Sequence, residues 1–358
     1  MKMPRICLNM IVKNEAPVIA RCLASVLPYI DHWVIVDTGS TDGTQDVVRN
    51  ALQGVPGDLY ERPWKNFSHN RNEALELARH SGDYLLFIDA DEQLQMPQGF
   101  GWPPLSADGY LFTCCMDGHV YQRNSLVATR VPWRWEGVLH EYLTAPAHGP
   151  WHALPGAVIQ VSHDGARARD PQTYRKDIGL LEQALREAPG NTRYAFYLAQ
   201  SMRDAGMLQE SREAYRKRVL MGGWDEECWY AQFQVAVLTE RLGEPAPAVR
   251  DAFLTAYSLR PTRAEPLCAL AKYHRLRSEF ALAHLFAQQA ASLPQPADIL
   301  FVDTAVYTWR ALDELAVSAF YANAKDQGRA ALERLLREMR YPPSEAARIE
   351  ANRPFFGL

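Results

Sequence analysis

The sequence lacks any apolar stretch of the ~20 residues that a helix needs to cross a bilayer. Its first apolar segment, Ile6–Val12, follows basic residues as the core of a signal peptide would. However, Lys13-Asn14-Glu15 comes directly after it, and no small-residue cleavage site is present. A buried strand explains this segment better. We therefore expect a cytoplasmic protein, and contact with a membrane surface stays open.

Cysteine is scarce and is poorly spaced for metal sites or disulfides. The chain has six cysteines, and no pair has the C-x-x-C spacing that many zinc and redox sites use. Cys114 and Cys115 are adjacent, which also argues against a disulfide framework. We expect buried thiols in a reducing compartment.

The chain also lacks an excess of basic charge, with 38 Lys and Arg against 42 Asp and Glu. Nucleic-acid-binding domains usually carry a basic surface, so we expect no nucleic-acid partner. The hydrophobic fraction, 47%, is that of an ordinary globular protein. The length of 358 residues is more than one hydrophobic core usually fills, and it predicts two domains.

Segments typical of buried strands alternate with segments typical of helices in the first half of the chain. The predicted strands are Ile6–Val12, His32–Asp37, Asp58–Glu61 and Asp83–Asp89, and the predicted helices are Ala16–Leu27, one through Val47 and Val48, and Asn70–His80. This alternation predicts an α/β fold, with a parallel sheet covered by helices on both faces. Ligands of such sheets bind beyond the carboxyl ends of the strands, where Asp37 and Asp89 lie.

The pattern changes twice further along the chain. After Ala90 it becomes rich in Pro, Gly and Trp, with short strands such as Gly109–Cys115 and Ala157–Val161, which predicts an antiparallel continuation of the sheet. From Pro171 onward the pattern is helical. We therefore predict an α/β domain over residues 1–170 and an all-α domain over residues 171–358.

The helical part contains an internal repeat. Two copies share an apolar pair, a glycine and an Ala-Tyr pair, and a third is weaker: Leu198-Ala199, Gly206 and Ala214-Tyr215; Val237-Leu238, Gly243 and Ala256-Tyr257; Leu270-Ala271, Ala281 and Ala290. The spacing of roughly 34 to 37 residues is that of helix–turn–helix solenoids. The stretch from Ile299 to Met339 predicts two amphipathic helices that cap the stack.

Asp89 and Asp91 stand two residues apart, directly after the apolar run Tyr84–Ile88. In extended backbone this spacing puts both carboxylates on one side of the chain, where they can share a divalent cation. Such a cation would offset the charge on a leaving diphosphate. The alternative interpretation is a solvated acidic turn after a strand.

Asp37 ends its strand before a Gly-Ser-Thr turn. Ser40, Thr41 or Asp42 could cap the helix that follows, which would leave Asp37 to accept a hydrogen bond from a uracil N–H or a ribose hydroxyl. Arg71, at the start of the next helix, could pair with donor phosphates. A surface ion pair is the alternative for Arg71.

Two further segments contain candidate catalytic or metal-binding residues. His163 follows an apolar strand and could complete a cation site with Asp91, although a single histidine is more often structural. Glu141, next to His140, could deprotonate an acceptor if Trp133 and Trp135 form an apolar wall around it. Glu136 is a rival for that role.

Four N-terminal segments resemble family 2 glycosyltransferases of the GT-A fold. They are Met10–Glu15, Val36–Thr44, Trp64–Phe67 leading to Arg71-Asn72, and Phe87–Glu92. Trp135–Glu141 resembles the Gly-x-Val-His-Glu segment of the lipooligosaccharide glucosyltransferase-like branch, with Leu139 in place of the usual Val. Ser162–Gly165 is similar to the His-x-Gly element of that branch. The helical remainder resembles tetratricopeptide repeats, as in peptide S-glycosyltransferases and other repeat-fused members.

The resemblance implies a role for each matching residue. The donor-binding residues would be Val12, Asn14 and Glu15 beside the nucleoside, Asp37 at the base, Arg71 and Asn72 near the base or phosphates, and Asp89, Ala90 and Asp91 near the sugar and diphosphate. Asp91 and His163 would bind Mn²⁺ or Mg²⁺. The displacement at the anomeric carbon would be inverting, with Glu141, Glu136 and His140 as the candidate catalytic residues.

The sequence therefore predicts a metal-dependent inverting glycosyltransferase. The donor would be a nucleotide sugar, most simply a UDP-sugar, and the helical domain would position a peptide, glycan or lipid-linked acceptor. One alternative is a peptide-binding scaffold with a degenerate glycosyltransferase domain. A nucleotidyltransferase is a third interpretation, but the chain lacks the Gly-rich basic loop that it would need after the first strand. Association of two copies through the helical domain stays open.

Overall fold

The computed structural model of the chain describes residues 3–116 and 119–358. It consists of two units, Met1–Glu187 and Ala188–Leu358, and each has its own hydrophobic core. We predicted the division between residues 170 and 171, whereas the structural division follows the helix Thr173–Glu187. Across the described ranges, no helix is both long enough and apolar enough to cross a membrane.

The first unit contains ten strands and five α-helices within the described residues. They are β1 Ile6–Val12, α1 Ile19–Val26, β2 His32–Asp37, α2 Thr44–Ala51, β3 Gly57–Glu61, α3 Phe67–Ala78, β4 Tyr84–Phe87, β5 Gln93–Gln95, β6 Gly109–Met116, β7 His119–Ala128, β8 Arg134–Glu136, β9 Tyr142–Thr144, β10 His152–Gln160, α4 Ala166–Arg169 and α5 Thr173–Glu187. The predicted strands Ile6–Val12 and His32–Asp37 match their structural bounds.

Eight of these strands form one mixed sheet in the order β3-β2-β1-β4-β7-β6-β10-β5. The first four strands of this order are parallel, β7 is antiparallel to both β4 and β6, and β5 is antiparallel to β10. Strands β8 and β9 form a separate antiparallel pair. The predicted α/β fold is therefore confirmed. The continuation of the sheet was predicted to be antiparallel, and this holds for β7 and β5, whereas β10 runs parallel to β6. Because β1, β2 and β4 run in one direction, their carboxyl ends meet at one edge of the sheet.

Alternation along β1 explains how the sheet is covered on both faces. Ile6, Leu8 and Met10 enter the core cluster that contains α1, whereas Cys7 enters the cluster on the α3 side. This is the period-two pattern of a strand with two buried faces. Asn9 is the polar exception, because its buried Nδ2 donates to carbonyl oxygens of β2 and α3 at 3.3 and 2.8 Å. Its amide therefore fixes α3 against the sheet.

The second unit consists of helices that pack on one another in sequence order. They are α6 Thr192–Asp204, α7 Leu208–Leu220, α8 Asp225–Arg241, α9 Ala246–Leu259, α10 Glu265–Arg275, α11 Phe280–Ser292, a π-helical turn Val306–Arg310, α12 Ala311–Tyr321, α13 Lys325–Glu338, α14 Pro343–Glu350 and α15 Arg353–Phe356. Consecutive helices from α6 to α13 form four helix–turn–helix pairs. The predicted all-α domain built from helix–turn–helix pairs is confirmed.

Each pair has a left-handed residue in the turn between its two helices. These residues are Gly206, Gly243, Ser278 and Asn323, with φ of 79, 71, 58 and 64°. The two glycines made the first two copies of the repeat recognisable in the sequence. Ser278 and Asn323 are less typical of such turns, so the other two copies are harder to recognise. The region predicted as a cap, Ile299–Met339, thus contains a fourth pair, α12 and α13, and its first part, residues 299–303, is not helical.

The left-handed turn predicts how substitutions at Gly243 affect stability. We expect Gly243→Ala to lower the free energy of unfolding by about 1 kcal/mol, because an L side chain is strained at this φ while the surrounding space is open. Gly243→Asn should lower the free energy of unfolding by less, since Asn tolerates the left-handed region. Urea denaturation followed by circular dichroism at 222 nm measures both values. Equal costs for Ala and Asn would contradict this explanation.

Candidate active site

The carboxyl ends of β1, β2 and β4 bring three predicted residues to one edge of the sheet. Val12 and Asp37 are direct partners in the β1–β2 register, and Asn9 pairs with Phe87 two residues before Asp89. This edge is where ligands bind in open parallel sheets. The residues after each strand end therefore form the candidate active site.

Asp37 has two carboxylate oxygens with different surroundings. Its Oδ1 accepts hydrogen bonds from the backbone N–H groups of Gly39 and Ser40, both at 2.8 Å. Its Oδ2 is buried and has no hydrogen-bond partner among the described residues. Asp42, rather than Asp37, stabilises the start of α2, because its Oδ1 accepts from Thr44 N at 3.1 Å. One oxygen of Asp37 thus shapes the turn, and the other remains as an unpaired acceptor.

The segment after β1 braces this turn. Asn14 adopts a left-handed conformation, and its Oδ1 accepts from Thr41 N while its own N–H donates to Ser40 Oγ, both at 2.8 Å. Glu15 accepts from the backbone N–H of Ala166 at 3.0 Å. Burial, followed by the negative charge of Asp91, raises the pKa of Glu15 to about 7. Asn14 therefore holds the β2 turn, and Glu15 holds the chain that enters α4.

Asp89 lies between two guanidinium groups. Arg71 donates from Nη2 to Asp89 Oδ1 at 2.7 Å, and Arg123 Nη1 lies 3.7 Å from Asp89 Oδ2. Although burial alone would raise the pKa of Asp89, these two cations hold it below its ordinary value. Arg71 also donates from Nε to Glu141 Oε1 at 2.5 Å. A single guanidinium thereby joins the predicted sugar-binding acid to the predicted base.

Arg123 and Glu92 complete this network, although the sequence interpretation gave neither of them a primary role. Arg123 on β7 donates to Glu92 Oε1 at 2.8 Å, and Glu92 Oε2 accepts from the backbone N–H of Asp89 at 3.0 Å. The Glu92 side chain is only 3% exposed. Arg123 lies between Gln122 and Asn124 in the polar middle of β7, so its neighbours in sequence give no signal, and its partner lies 31 residues earlier in the chain.

Asp91 lies beside the predicted His-x-Gly element. The carboxylate packs against the backbone of Gly165, where an added Cβ would lie 2.8 Å from Asp91 Oδ2. Arg21 donates to the Asp91 carbonyl at 3.0 Å, but its ion pair is with Asp164. Burial and the charge of Asp89 raise the pKa of Asp91 above its ordinary value. Within residues 3–116 and 119–358, its carboxylate has no ion-pair partner.

The side chains around Asp91 determine how many ligands the protein could give to a cation. In the part of the chain that the structure describes, no three His, Cys, Asp or Glu side chains are arranged to bind one metal ion. His163 is exposed. A cation bound to Asp91 would therefore take most of its ligands from a bound molecule or from water. An unpaired, partly buried carboxylate fits a hard divalent cation.

The other predicted residues have different positions. Asn72 exchanges two hydrogen bonds of 2.8 Å with the backbone of Trp135, which anchors β8 to α3. Glu136 is exposed and accepts from Tyr142 Oη at 3.0 Å across the β8–β9 pair, away from the Arg71 network. His140 is exposed, with a φ of 52°. The structure thus joins Glu141 to Asp89 and Arg71, but it does not bring Glu136 into that group.

The N-terminal region matches a known family. Residues 7–97 match the model of Glycosyl transferase family 2, which confirms the resemblance over that range. This range contains Val12, Asp37, Arg71, Asp89 and Asp91. It ends before the β8–β9 pair and Glu141.

Curated relatives agree with this match over part of their length. The SPbeta prophage-derived glycosyltransferase SunS of Bacillus subtilis is 28% identical over 225 residues, which cover 59% of this chain and 51% of the relative. A TPR repeat-containing protein of Synechococcus elongatus is 40% identical over 26% of this chain and 22% of its own length. The lipopolysaccharide core biosynthesis glycosyltransferase LpsC of Rhizobium meliloti is 37% identical over 23% of this chain and 29% of its own length. The chain therefore spans about half of SunS and less of the other two.

Two solved structures illustrate the likeness of the chain to known folds. A tetratricopeptide repeat protein from Parabacteroides merdae has a TM-score of 0.39 and 18% identity, covering 53% of this chain and 69% of its own. A MamA protein has a TM-score of 0.37 and 16% identity, and the match covers 50% of this chain and 88% of the MamA chain. The assignment of helical pairs rests on the helices themselves, since scores this low support no further argument.

The shared guanidinium predicts a stability cost at Arg71. Arg71→Met leaves Glu141 without its cation and leaves Asp89 with Arg123 alone. We expect it to lower the free energy of unfolding by about 2 kcal/mol. This value is below that of a fully buried pair because the Asp89 side chain is 45% exposed. The Arg71→Met/Glu141→Gln double variant should lose less than the sum of the single variants. Urea denaturation of the wild type, the two single variants and the double variant measures the free energies of unfolding that this comparison needs.

The matched control is Arg49→Met. Arg49 forms an exposed ion pair with Asp46, and exposed pairs contribute about 0 to 1 kcal/mol. If Arg71→Met and Arg49→Met had the same small effect, Arg71 would not hold the network together.

Proposed function

We propose that this chain is a metal-dependent inverting glycosyltransferase that uses a nucleotide-sugar donor, most simply a UDP-sugar. The observation that carries the proposal is the chain of contacts Asp89–Arg71–Glu141 beside the unpaired carboxylate of Asp91. These groups would supply, at one edge of the sheet, an oriented acid for the sugar, a base for the acceptor and a carboxylate ligand for a cation.

The unpaired oxygen of Asp37 supports binding of the nucleoside. A buried carboxylate oxygen without a hydrogen bond is costly, and an N–H group of a base would satisfy it. Uracil offers such an N–H group. Val12 and the turn braced by Asn14 would border the base, because both lie next to Asp37.

Asp91 and His163 would hold Mn²⁺ or Mg²⁺ together with oxygens of the donor diphosphate. The cation would neutralise the charge that develops on the diphosphate as it leaves. Asp89, which Arg71 and Arg123 hold as a carboxylate, would accept hydrogen bonds from hydroxyl groups of the donor. Its two guanidinium partners would fix its position before the donor binds.

Glu141 would accept the proton of the acceptor. The acceptor atom attacks the anomeric carbon, its proton passes to the Glu141 carboxylate, and the bond to the diphosphate breaks with its electron pair on the leaving oxygen. Arg71 would orient Glu141, since its Nε donates to Oε1. The helical unit would position the acceptor, which we propose is a peptide, a glycan or a lipid-linked glycan.

Substitution of Asp91 tests the donor site. We expect Asp91→Asn to abolish metal-dependent release of nucleotide from a panel of UDP-, GDP- and dTDP-sugars, because the cation loses its carboxylate ligand. In the wild type, UDP with Mn²⁺ should raise the melting temperature, since saturation at about 100 Kd stabilises by about 2.7 kcal/mol. Asp46→Asn, an exposed carboxylate on α2, is the matched control. Full turnover by Asp91→Asn, or by the wild type in EDTA, would exclude the metal role.

Substitution of Glu141 tests the base. Glu141→Gln keeps an oxygen that can accept from Arg71 but removes the basic carboxylate, so kcat should fall about 10² to 10⁴-fold. The affinity for UDP should change little. Glu136→Gln should retain near-normal kcat, because Glu136 contacts Tyr142 instead of the Arg71 network. If Glu136→Gln lost activity and Glu141→Gln kept it, the two roles would be exchanged.

A further inference from the structure

A segment of the helical unit lies on the chain in the manner of a bound peptide. Residues 293–303, here called the strap, connect α11 to the helical turn before α12 without forming a helix themselves. The strap contacts α6, α8 and the connection between α9 and α10, all of which precede it by many residues. It is therefore more than a direct link between two neighbouring helices.

The surface beneath the strap recognises its backbone. Glu226 at the start of α8 accepts from the N–H groups of Ile299 and Leu300 at 2.9 and 2.8 Å. Arg263 donates to the carbonyl oxygens of Leu300 and Phe301 at 3.2 and 3.0 Å. Two side chains thus satisfy four backbone groups, and this mode of binding places no demand on the side chains of those residues.

Selectivity comes from two side chains of the strap. Arg260 donates to both carboxylate oxygens of Asp298, at 2.6 and 2.7 Å, and Arg263 adds a third bond at 3.1 Å. The Phe301 ring lies 4.7 Å from Tyr230 and 6.4 Å from Phe196 between centroids. The bidentate clamp selects an acidic residue, and the aromatic pair selects a ring three positions later.

The strap is held on this surface at a conformational cost. Phe301 has a φ of 46°, a left-handed conformation that costs a non-glycine residue roughly 1 to 2 kcal/mol. The Ile299 side chain is 82% exposed and gains nothing from the contact. Its advantage is attachment at both ends, which gives it an effective concentration in the millimolar range. A linear peptide with relaxed backbone could make the same contacts without that strain.

We propose that the surface formed by Phe196, Glu226, Tyr230, Arg260 and Arg263 binds an extended peptide with an acidic residue three positions before an aromatic one. The strap occupies this surface when no partner is bound. The proposal extends the proposed function, because a peptide acceptor would be such a partner. It is measured by binding to the helical unit, so it fails or holds independently of sugar transfer.

The test uses the full chain and a fluorescein-labelled peptide with the sequence of residues 295–304. The Asp298→Arg/Phe301→Ala variant releases the strap and leaves the surface residues intact. We expect its Kd for the peptide, measured by fluorescence anisotropy, to be about tenfold or more below that of the wild type, because the competing segment is removed. Ile299→Ala is the matched control in the same segment and should behave as the wild type.

Two further arms identify the contacts. A peptide with Asn at the position of Asp298 should bind the released variant about tenfold more weakly, because its amide cannot replace the carboxylate between two guanidinium groups. Adding Arg260→Ala to the released variant should weaken its binding of the original peptide by a similar factor. If the double variant loses its helical circular dichroism, Phe301→Ala alone replaces it.

The proposal is overturned if a folded released variant does not bind the peptide at about 1 mM, the effective concentration that the strap itself reaches. Equal affinity for the Asp and Asn peptides would also overturn it, as would an Arg260→Ala variant with unchanged affinity. In each case the strap would be a structural connection without a competing ligand.

Discussion

The candidate active site depends on the guanidinium of Arg71. Its side chain is only 12% exposed, and burial of a cation is tolerated where opposite charges and hydrogen bonds replace water. Asp89 and Glu141 provide both, although burial alone would lower the pKa of Arg71. Since Asp89 follows β4, Arg71 lies in α3 and Glu141 precedes β9, one ion cluster fixes three parts of the unit. The geometry of the acids is therefore set by electrostatics between distant segments as well as by the sheet.

The sequence predicted those parts of the site that follow from local pattern. Apolar runs located the ends of β2 and β4, and the carboxyl-end rule then placed Asp37 and Asp89 at one edge. Arg123 could not be placed in this way, because its role depends on β7 pairing antiparallel to β4 across a long separation in sequence. Nor does spacing distinguish Glu141 from Glu136, since only the fold directs one toward Arg71 and the other toward Tyr142.

The helical unit shows the same division between local and non-local information. Gly206 and Gly243 reveal their turns because glycine favours the left-handed region, whereas Ser278 and Asn323 adopt it under the constraint of the packed helices. The strap lengthens the connection before the fourth pair and so disguises the repeat period. The ion pair that holds the strap joins Asp298 to Arg260, which are far apart in sequence. No short sequence motif predicts such a contact.

The two outer strands of the eight-stranded sheet have a consequence for colloidal behaviour. An exposed strand edge is a template for pairing with another molecule, and long, flat, apolar edges promote aggregation. Here one edge is β5, which has three residues, and the other is β3, which carries Asp58 and Glu61. The first is too short to recruit a second sheet, and the second would place like charges opposite each other in a copy of itself. The sheet that presents the acidic cluster at one end is thereby protected from self-association along both sides.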